Sequence, residues 1–303
     1  MVGAVVAEDA DSVVRAVDAA GRELLAGVAT ARWSGYAVHL PQHVTDAVER
    51  VDVPTEVGPA PAWIMGDQSA ESWCVQVHGR GVTRRETIRA APIYLARGMP
   101  VMAVSYRNDT EAPPSRDGKF WPGLGEWCDV DDAIGFAVAR GARRIVLQGW
   151  SVGGQIAPLV ARRSRHRRRI VGVVLDSPVV GWRPTFALQV ALVNMPAWLA
   201  VTAVQLLESP ASMLSGSRSL DFHELDNVLH ADALAQPALV LHSADDGYVP
   251  PDGSRSLAAA RPDLVEYHKW PQARHTELWN LDRARYERKV GDWLDARGIT
   301  AVC

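Results

Sequence analysis

The stretch Arg144-Ile-Val-Leu-Gln-Gly-Trp-Ser-Val-Gly-Gly-Gln-Ile-Ala157 decides the fold. Its opening β-branched, apolar run predicts a strand ending at Gln148, and Val152–Arg163 reads as the helix that follows. Between them Gly149-Trp150-Ser151-Val152-Gly153 spells G-x-S-x-G. A serine on so sharp a strand-to-helix turn takes a strained backbone conformation. Both flanking positions must then be small, so that strand and helix can approach. The hydroxyl stands at the mouth of the sheet, beside the free N–H groups and positive dipole end of the helix. Composition alone produces such a pentapeptide in about one chain in ten of this size. The strand–turn–helix setting is what makes Ser151 the candidate nucleophile.

Outward from this turn, from about Trp73 onward, short β-branched runs alternate with helical segments. That is the pattern of an α/β protein, a mostly parallel central sheet with helices on both faces. Strands are predicted at Trp73–Val77, Val101–Tyr106, Arg144–Gln148, Ile170–Leu175, Ala238–His242 and Leu264–Lys269. Their apolar continuity suits strands buried on both sides. Helices are predicted at Thr83–Ala96, Asp129–Ala139, Val152–Arg163, Ser254–Ala260 and Arg283–Arg297. Residues 1 to about 50 form an N-terminal extension opening on a predicted helix, Ala10–Leu25, and Val51–Val57 and Ala62–Met65 read as antiparallel edge strands. Residues from about 181 to 232 are too long for a simple crossover. They read as two or three amphipathic helices, a cap inserted over one end of the sheet. The chain is thus expected to be one domain, 1–303, with these two additions.

A serine hydroxyl is unreactive near neutral pH, so it needs an imidazole within reach and a third group to fix the tautomer. The expected chain order is Ser, then Asp or Glu, then His. Downstream, His166 lies in an arginine run, His223 and His230 fall in the cap, and His242 and His268 lie inside predicted strands. His275, in Pro271-Gln-Ala-Arg-His-Thr-Glu277, follows the last strand at the sheet end that carries Ser151. It is the candidate base. For the acid, the loop after Val240 offers Asp245 and Asp246, and Asp176 after the preceding strand competes. Position favours the loop after Val240 without separating its two aspartates. The strand Val75-Gln-Val77 ends in His78-Gly79-Arg80-Gly81 at the same edge. Main-chain N–H groups there, with that of Val152, can face a developing oxyanion. His78 then reads as a structural hydrogen-bonder.

Together these segments resemble the α/β-hydrolase superfamily from about Ala62 to Leu294, closest to bacterial esterases of the serine aminopeptidase and prolyl oligopeptidase-like branch. His78-Gly79-Arg80-Gly81 resembles that family's oxyanion turn, in which the residue after His-Gly lends its N–H, here Arg80. His242-Ser-Ala-Asp-Asp-Gly-Tyr-Val-Pro250 is similar to the family's His-Gly-x-x-Asp-x-x-Val-Pro, and this alignment selects Asp246. Pro271-Gln-Ala-Arg-His275 resembles Pro-Gly-Ala-Gly-His. The departures are Ser243, Gln272 and Arg274 at glycine positions, and Arg274 beside the base bears on access and substrate charge. The resemblance implies a serine hydrolase cleaving a carboxylic ester, thioester or amide through an acyl-enzyme, with neither metal nor organic cofactor. Acyl transfer by the same residues, or ligand binding without catalysis, are the alternatives.

Bulk properties are consistent with that reading. The 303 residues carry a net charge of −3, with 48 % hydrophobic and 22 % charged residues, which suits a soluble globular chain and gives no reason for a polyanionic partner. The basic run Arg162–Arg169 falls at a predicted helix end, where cations complement the dipole, and no aromatics interleave it to suggest nucleic acid. Cys74, Cys128 and Cys303 are too few for a disulfide framework and read as reduced thiols in a cytoplasmic protein. Met1–Ala10 lacks the apolar core of a secretory signal. The longest apolar stretch, Phe186–Leu207, is broken by Gln189, Asn194, Pro196 and Gln205, so no membrane span is expected. Trp150, Tyr106, Trp182 and Trp198 are candidate pocket-lining residues, and the expected partner is a small molecule with a hydrophobic acyl group.

Overall fold

The computed structural model describes residues 38–210, 212 and 219–301, together with two strands and isolated positions among residues 2–36. The chain divides into two compact units, Met1–Ala37 and Val38–Cys303. In the first, β1 (Val2–Glu8) pairs antiparallel with β2 (Val13–Val17), with Val2 opposite Val17 and Glu8 opposite Val13. The helix predicted over Ala10–Leu25 is therefore corrected over Val13–Val17; Ala19, Arg22 and Glu23 are helical, and the remainder of that range lies outside the described residues. Val13, Val14 and Val17 satisfy helical spacing, but their branched side chains favour extended backbone, and a valine-rich partner strand is at hand.

The second unit is built on an eight-stranded sheet. Its strands are β3 (Val48–Thr55), β4 (Gly58–Met65), β5 (Ser72–Val77), β6 (Val101–Val104), β7 (Arg144–Trp150), β8 (Ile170–Asp176), β9 (Ala238–Ser243) and β10 (Val265–Trp270). Across the sheet they run in the order β10-β9-β8-β7-β5-β6-β4-β3. The first six are mutually parallel, and β4 and β3 close the far edge antiparallel. Every residue of β5, β6 and β9 is buried, which is why those runs are apolar without alternation. Period-2 geometry still sorts them between faces. Trp73, Val75, Val77, Ile145 and Leu147 enter one hydrophobic cluster, whereas Cys74, Val146 and Trp150 enter the other.

The predicted strands agree with the observed ones to within a few residues at their ends. Val101–Tyr106 stops at Val104, and Val51–Val57 is displaced to Val48–Thr55 because Gly58, at φ +123°, ends the turn into β4. The helix predicted over Thr83–Ala96 begins as a 3₁₀ segment, Arg84–Ala90, capped by the Thr83 hydroxyl, and continues as α-helix over Ala91–Leu95. Helices Glu126–Ala139, Val152–Arg163, Asp252–Ala260 and Arg283–Asp295 follow their strands. Between β8 and β9 the described residues include the α-helices Trp182–Leu192 and Trp198–Glu208. No helix among the described residues is long and apolar enough to cross a membrane. The first three arginines of the basic run are paired internally: Arg162 and Arg163 meet Glu224, and Arg165 meets Asp131 and Asp132.

Parallel register brings the carboxyl ends of five strands to one edge. Val77 lies opposite Gly149, Trp150 opposite Asp176, Asp176 opposite Leu241 and Ser243 opposite Trp270. The loops after β5, β7, β8, β9 and β10 therefore converge there, where ligands bind in open α/β sheets.

Candidate active site

Ser151 joins β7 to the helix Val152–Arg163 with φ 52° and ψ −113°, outside the regions that non-glycine residues favour. The two glycines of the motif are required by contact. A Cβ on Gly149 would sit 2.2 Å from the Gly153 carbonyl oxygen, and one on Gly153 would sit 2.1 Å from that of Val77. Main-chain bonds hold the turn: Ser151 N–H donates to the Asp176 carbonyl at 3.0 Å, and Val179 N–H donates to the Ser151 carbonyl at 3.0 Å.

Three side chains from three loops meet in one hydrogen-bonded line. Ser151 Oγ is 2.8 Å from His275 Nε2, and His275 Nδ1 is 2.7 Å from Asp246 Oδ2. An ionised Asp246 accepts from Nδ1–H, which leaves Nε2 to accept from the serine hydroxyl. Asp246 Oδ1 in turn accepts from the N–H groups of Tyr248 and Val249, each at 2.9 Å. Burial opposes ionisation of this carboxyl, but hydrogen bonds from His242, His275 and the Val249 N–H outweigh it and hold its pKa well below the usual carboxylate range.

The competitors lie elsewhere. Asp245 is exposed. Asp176 is fully buried, with Ser177 Oγ donating to its Oδ1 at 3.0 Å. Burial raises its pKa to about 6, against a smaller opposing pull from Arg89. A carboxyl whose folded pKa is raised favours the protonated native state, so stability falls as pH rises from about 4 through about 6. Asp176→Asn cannot ionise. It is expected to unfold at higher temperature than the wild type above pH 6, with the gap closing towards pH 4. A gap that is constant across this range, read by thermal unfolding, would show that Asp176 does not titrate there.

Several further residues complete the surroundings. His242 Nε2 lies 3.2 Å from Asp246 Oδ2, and its Nδ1 lies 2.8 Å from Ser254 Oγ. Ser243, at one of the positions departing from glycine, accepts the N–H groups of Asp245 and Ala273 on its hydroxyl, and so ties the Asp246 loop to the His275 loop. Thr276, directly after His275, has φ 58°, a rare conformation for a β-branched residue. It is fixed on three sides: its N–H donates to Ser177 Oγ, its hydroxyl to Glu86 Oε1 at 3.0 Å, and its carbonyl accepts Arg89 Nη2 at 2.6 Å. Glu86 Oε2 also accepts the Gly79 N–H at 3.3 Å. The same carboxylate thus braces the His275 loop and the turn that contains Arg80. His78 is packed beneath that turn, its rings stacked with Tyr106 at 4.3 Å and its Nε2 3.0 Å from Asp109 Oδ2.

Ser151 and His275 open onto a cavity of about 410 Å³, whose walls include Arg80, Val152, Trp182 and Gln189. Trp182, Thr185 and Gln189 line it from successive turns of the helix Trp182–Leu192. Two of the candidate pocket residues, Trp150 and Trp198, require correction, and Tyr106 lines a second cavity. Trp150 points to the opposite sheet face and is fully buried in the second hydrophobic cluster. Tyr106 lies under the Arg80 turn, its hydroxyl donating to the carbonyls of His78 and Gly79, and borders a neighbouring cavity. Trp198 is 62 % exposed on the second helix, away from the Ser151 cavity.

The fold is that of the α/β-hydrolases. An esterase of Pyrococcus furiosus superposes with a TM-score of 0.66 over 88 % of this chain and 95 % of its own, at 18 % sequence identity. A monoacylglycerol lipase of Paleococcus ferrophilus gives 0.55 over 78 % and 99 %, at 18 % identity. An acylaminoacyl peptidase of Pyrococcus horikoshii gives 0.59 over 82 % of this chain but 41 % of its own, at 14 % identity. No protein-family model matches the sequence, and no curated protein matches it.

Proposed function

We propose that this chain is a serine hydrolase that cleaves a carboxylic ester through an acyl-enzyme. The observation that carries the reading is the unbroken line Ser151–His275–Asp246, 2.8 and 2.7 Å, at a strained strand-to-helix turn opening on a cavity. Ser151 Oγ attacks the ester carbonyl carbon while His275 Nε2 takes its proton. Charge on the carbonyl oxygen is received by the main-chain N–H groups of Arg80 and Val152, which border the same cavity. The imidazolium returns its proton to the departing alcohol. Water then attacks the acyl-enzyme with His275 again as base, and Ser151 is regenerated. Nothing in this sequence needs a metal or an organic cofactor. Esterase and lipase activity in proteins of similar fold is consistent with it. Free thiols at Cys74 and Cys128 suit a reducing compartment, so we assign the protein to the cytoplasm. The test is a screen of aryl esters over acyl length, alongside labelling by a fluorophosphonate. A protein that neither labels nor turns over any ester is not a serine esterase.

The segment from about 181 to 232 serves in this reading as a cap whose first helix walls an acyl pocket. Each methylene of a bound acyl chain should contribute about 0.8 kcal/mol where the wall excludes water. Trp182 lines the cavity and Trp198 does not. Trp182→Ala is therefore expected to flatten the rise of kcat/KM with acyl length, and Trp198→Ala to leave that rise unchanged. Equal profiles for wild type and Trp182→Ala would remove the acyl chain from this wall.

A further inference from the structure

The residues Gly79–Val82 line two cavities rather than one. On one side is the 410 Å³ cavity of Ser151 and Trp182. On the other is a second, of about 230 Å³, bordered by Tyr106, Asn108, Gly118 and Phe120. Arg80 is exposed and borders both, and its guanidinium carbon lies 5.2 Å from the centroid of the Phe120 ring in the second.

The charges around this guanidinium do not balance. Arg80 forms no ion pair with any described residue. The carboxylates that border the two cavities are Glu86 and Asp109, and both are buried and already engaged. Glu86 receives the Gly79 N–H and the Thr276 hydroxyl. Asp109 faces His78 Nε2 at 3.0 Å and accepts the N–H groups of Glu111 and Ala112 at 2.6 Å. Asp117, on the nearby loop, accepts from Ser115 Oγ, the Lys119 N–H and Trp121 Nε1. A planar cation with five donors is left over the ring, beside an open volume. Its own main-chain N–H belongs to the turn that faces the reacting carbonyl, so the cation stands one side chain from the chemistry.

We propose that the second cavity is the leaving-group subsite, and that it takes an alcohol or phenol bearing a carboxylate, bound by Arg80 in bidentate geometry with its ring or chain against Phe120. A carboxylate matches the guanidinium fork, and the aromatic ring holds the guanidinium in place before substrate arrives. This rests on the ester-hydrolase reading and divides its substrate between the two cavities: the acyl group along Trp182, the anionic alcohol across the Arg80 turn.

The test uses two butyrate esters, 4-carboxyphenyl butyrate and its uncharged methyl ester, 4-(methoxycarbonyl)phenyl butyrate. Both are assayed with wild type, Arg80→Gln and Arg80→Lys, all of which keep the main-chain N–H. The readout is the ratio of kcat/KM for the charged ester to that for the uncharged one, which a general disturbance of the turn leaves unaltered. Intrinsic differences between the two leaving groups cancel when variants are compared. Arg80→Gln is expected to lower the ratio by at least about tenfold, the scale of one charge-assisted hydrogen bond. Arg80→Lys should retain part of it, and added salt should erode the wild-type ratio. Turnover of both esters at a ratio that Arg80→Gln leaves unchanged overturns the subsite alone. Absence of turnover together with absence of fluorophosphonate labelling overturns the hydrolase reading, and this one with it.

Discussion

Ser151→Ala is expected to abolish fluorophosphonate labelling and to lower kcat on any ester by at least ~10³, and towards the ~10⁶ measured when such a nucleophile is removed from a serine protease. The chemistry would lose its only attacking atom, while the cavity and the turn of the oxyanion donors would remain. The fold should remain as well. Alanine carries the same Cβ as serine, so it meets no contact at φ 52° that serine does not already meet. The turn is held by main-chain bonds to Asp176 and Val179, which the substitution leaves in place. The side chain's described hydrogen bond is the one to His275, which the cavity solvent can replace. Circular dichroism and thermal unfolding close to wild type should therefore accompany the loss of labelling. Undiminished labelling of the variant would mean that another residue is the nucleophile. Unfolding of the variant would mean that the serine hydroxyl, rather than the backbone around it, holds the turn.

The central strands were legible because they are buried on both faces, as β5, β6 and β9 are throughout, so that a plain apolar run sufficed without any periodicity. The Ser151 turn was legible because sterics dictate its glycines, where an added Cβ would meet neighbouring backbone at 2.2 and 2.1 Å. Where the reading failed, a local pattern left a choice that distant contacts made. Valines at 13, 14 and 17 satisfied a helix and a strand alike, and pairing with residues 2–8 favoured the strand. The apolar spacing around Trp198 announced an amphipathic helix but not which side it would turn to solvent. Trp150 adjoins Ser151 in sequence, yet strand alternation carries its ring to the opposite face of the sheet.

The brace around Thr276 had no sequence signal at all. It joins Glu86 to a residue 190 positions later and Arg89 to one 187 positions later. Single polar residues at such separations belong to no motif. The positive φ of Thr276 cannot be read from a threonine, which disfavours that conformation. Ser243 is a milder case. It stood out as a departure from the glycine of the resembling turn, but its role needed the Ala273 N–H, 30 residues away.

The choice among Asp176, Asp245 and Asp246 leads to the sharpest remaining expectation. Asp246→Asn should lower kcat by about 10⁴, the effect seen when the acid of a serine protease is amidated, with little change in packing. The reason lies in which atoms surround the carboxylate. Oδ1 faces two main-chain N–H donors, from Tyr248 and Val249 at 2.9 Å, and Oδ2 faces His275 Nδ1 at 2.7 Å. An asparagine must turn its amide oxygen to the two main-chain donors, because its NH₂ there would oppose both. The NH₂ then faces His275 Nδ1 and forces that nitrogen to accept. The ring proton moves to Nε2, which points at Ser151 Oγ and can no longer take its proton. Loss of the carboxylate has a second consequence, for stability. A folded pKa held below its ordinary value contributes stability above about pH 4 that is lost as pH falls. The Asn variant lacks that contribution, so its deficit relative to wild type should shrink on acidification. Asp245→Asn changes only an exposed side chain, and Asp176→Asn leaves the partner of Nδ1 in place, so each should cost less than about tenfold in kcat. The three variants, assayed with one aryl ester at saturating concentration, separate the possibilities. If Asp176→Asn proves the most damaging, the working acid lies at the end of β8, and the Asp246–His275 contact is structural.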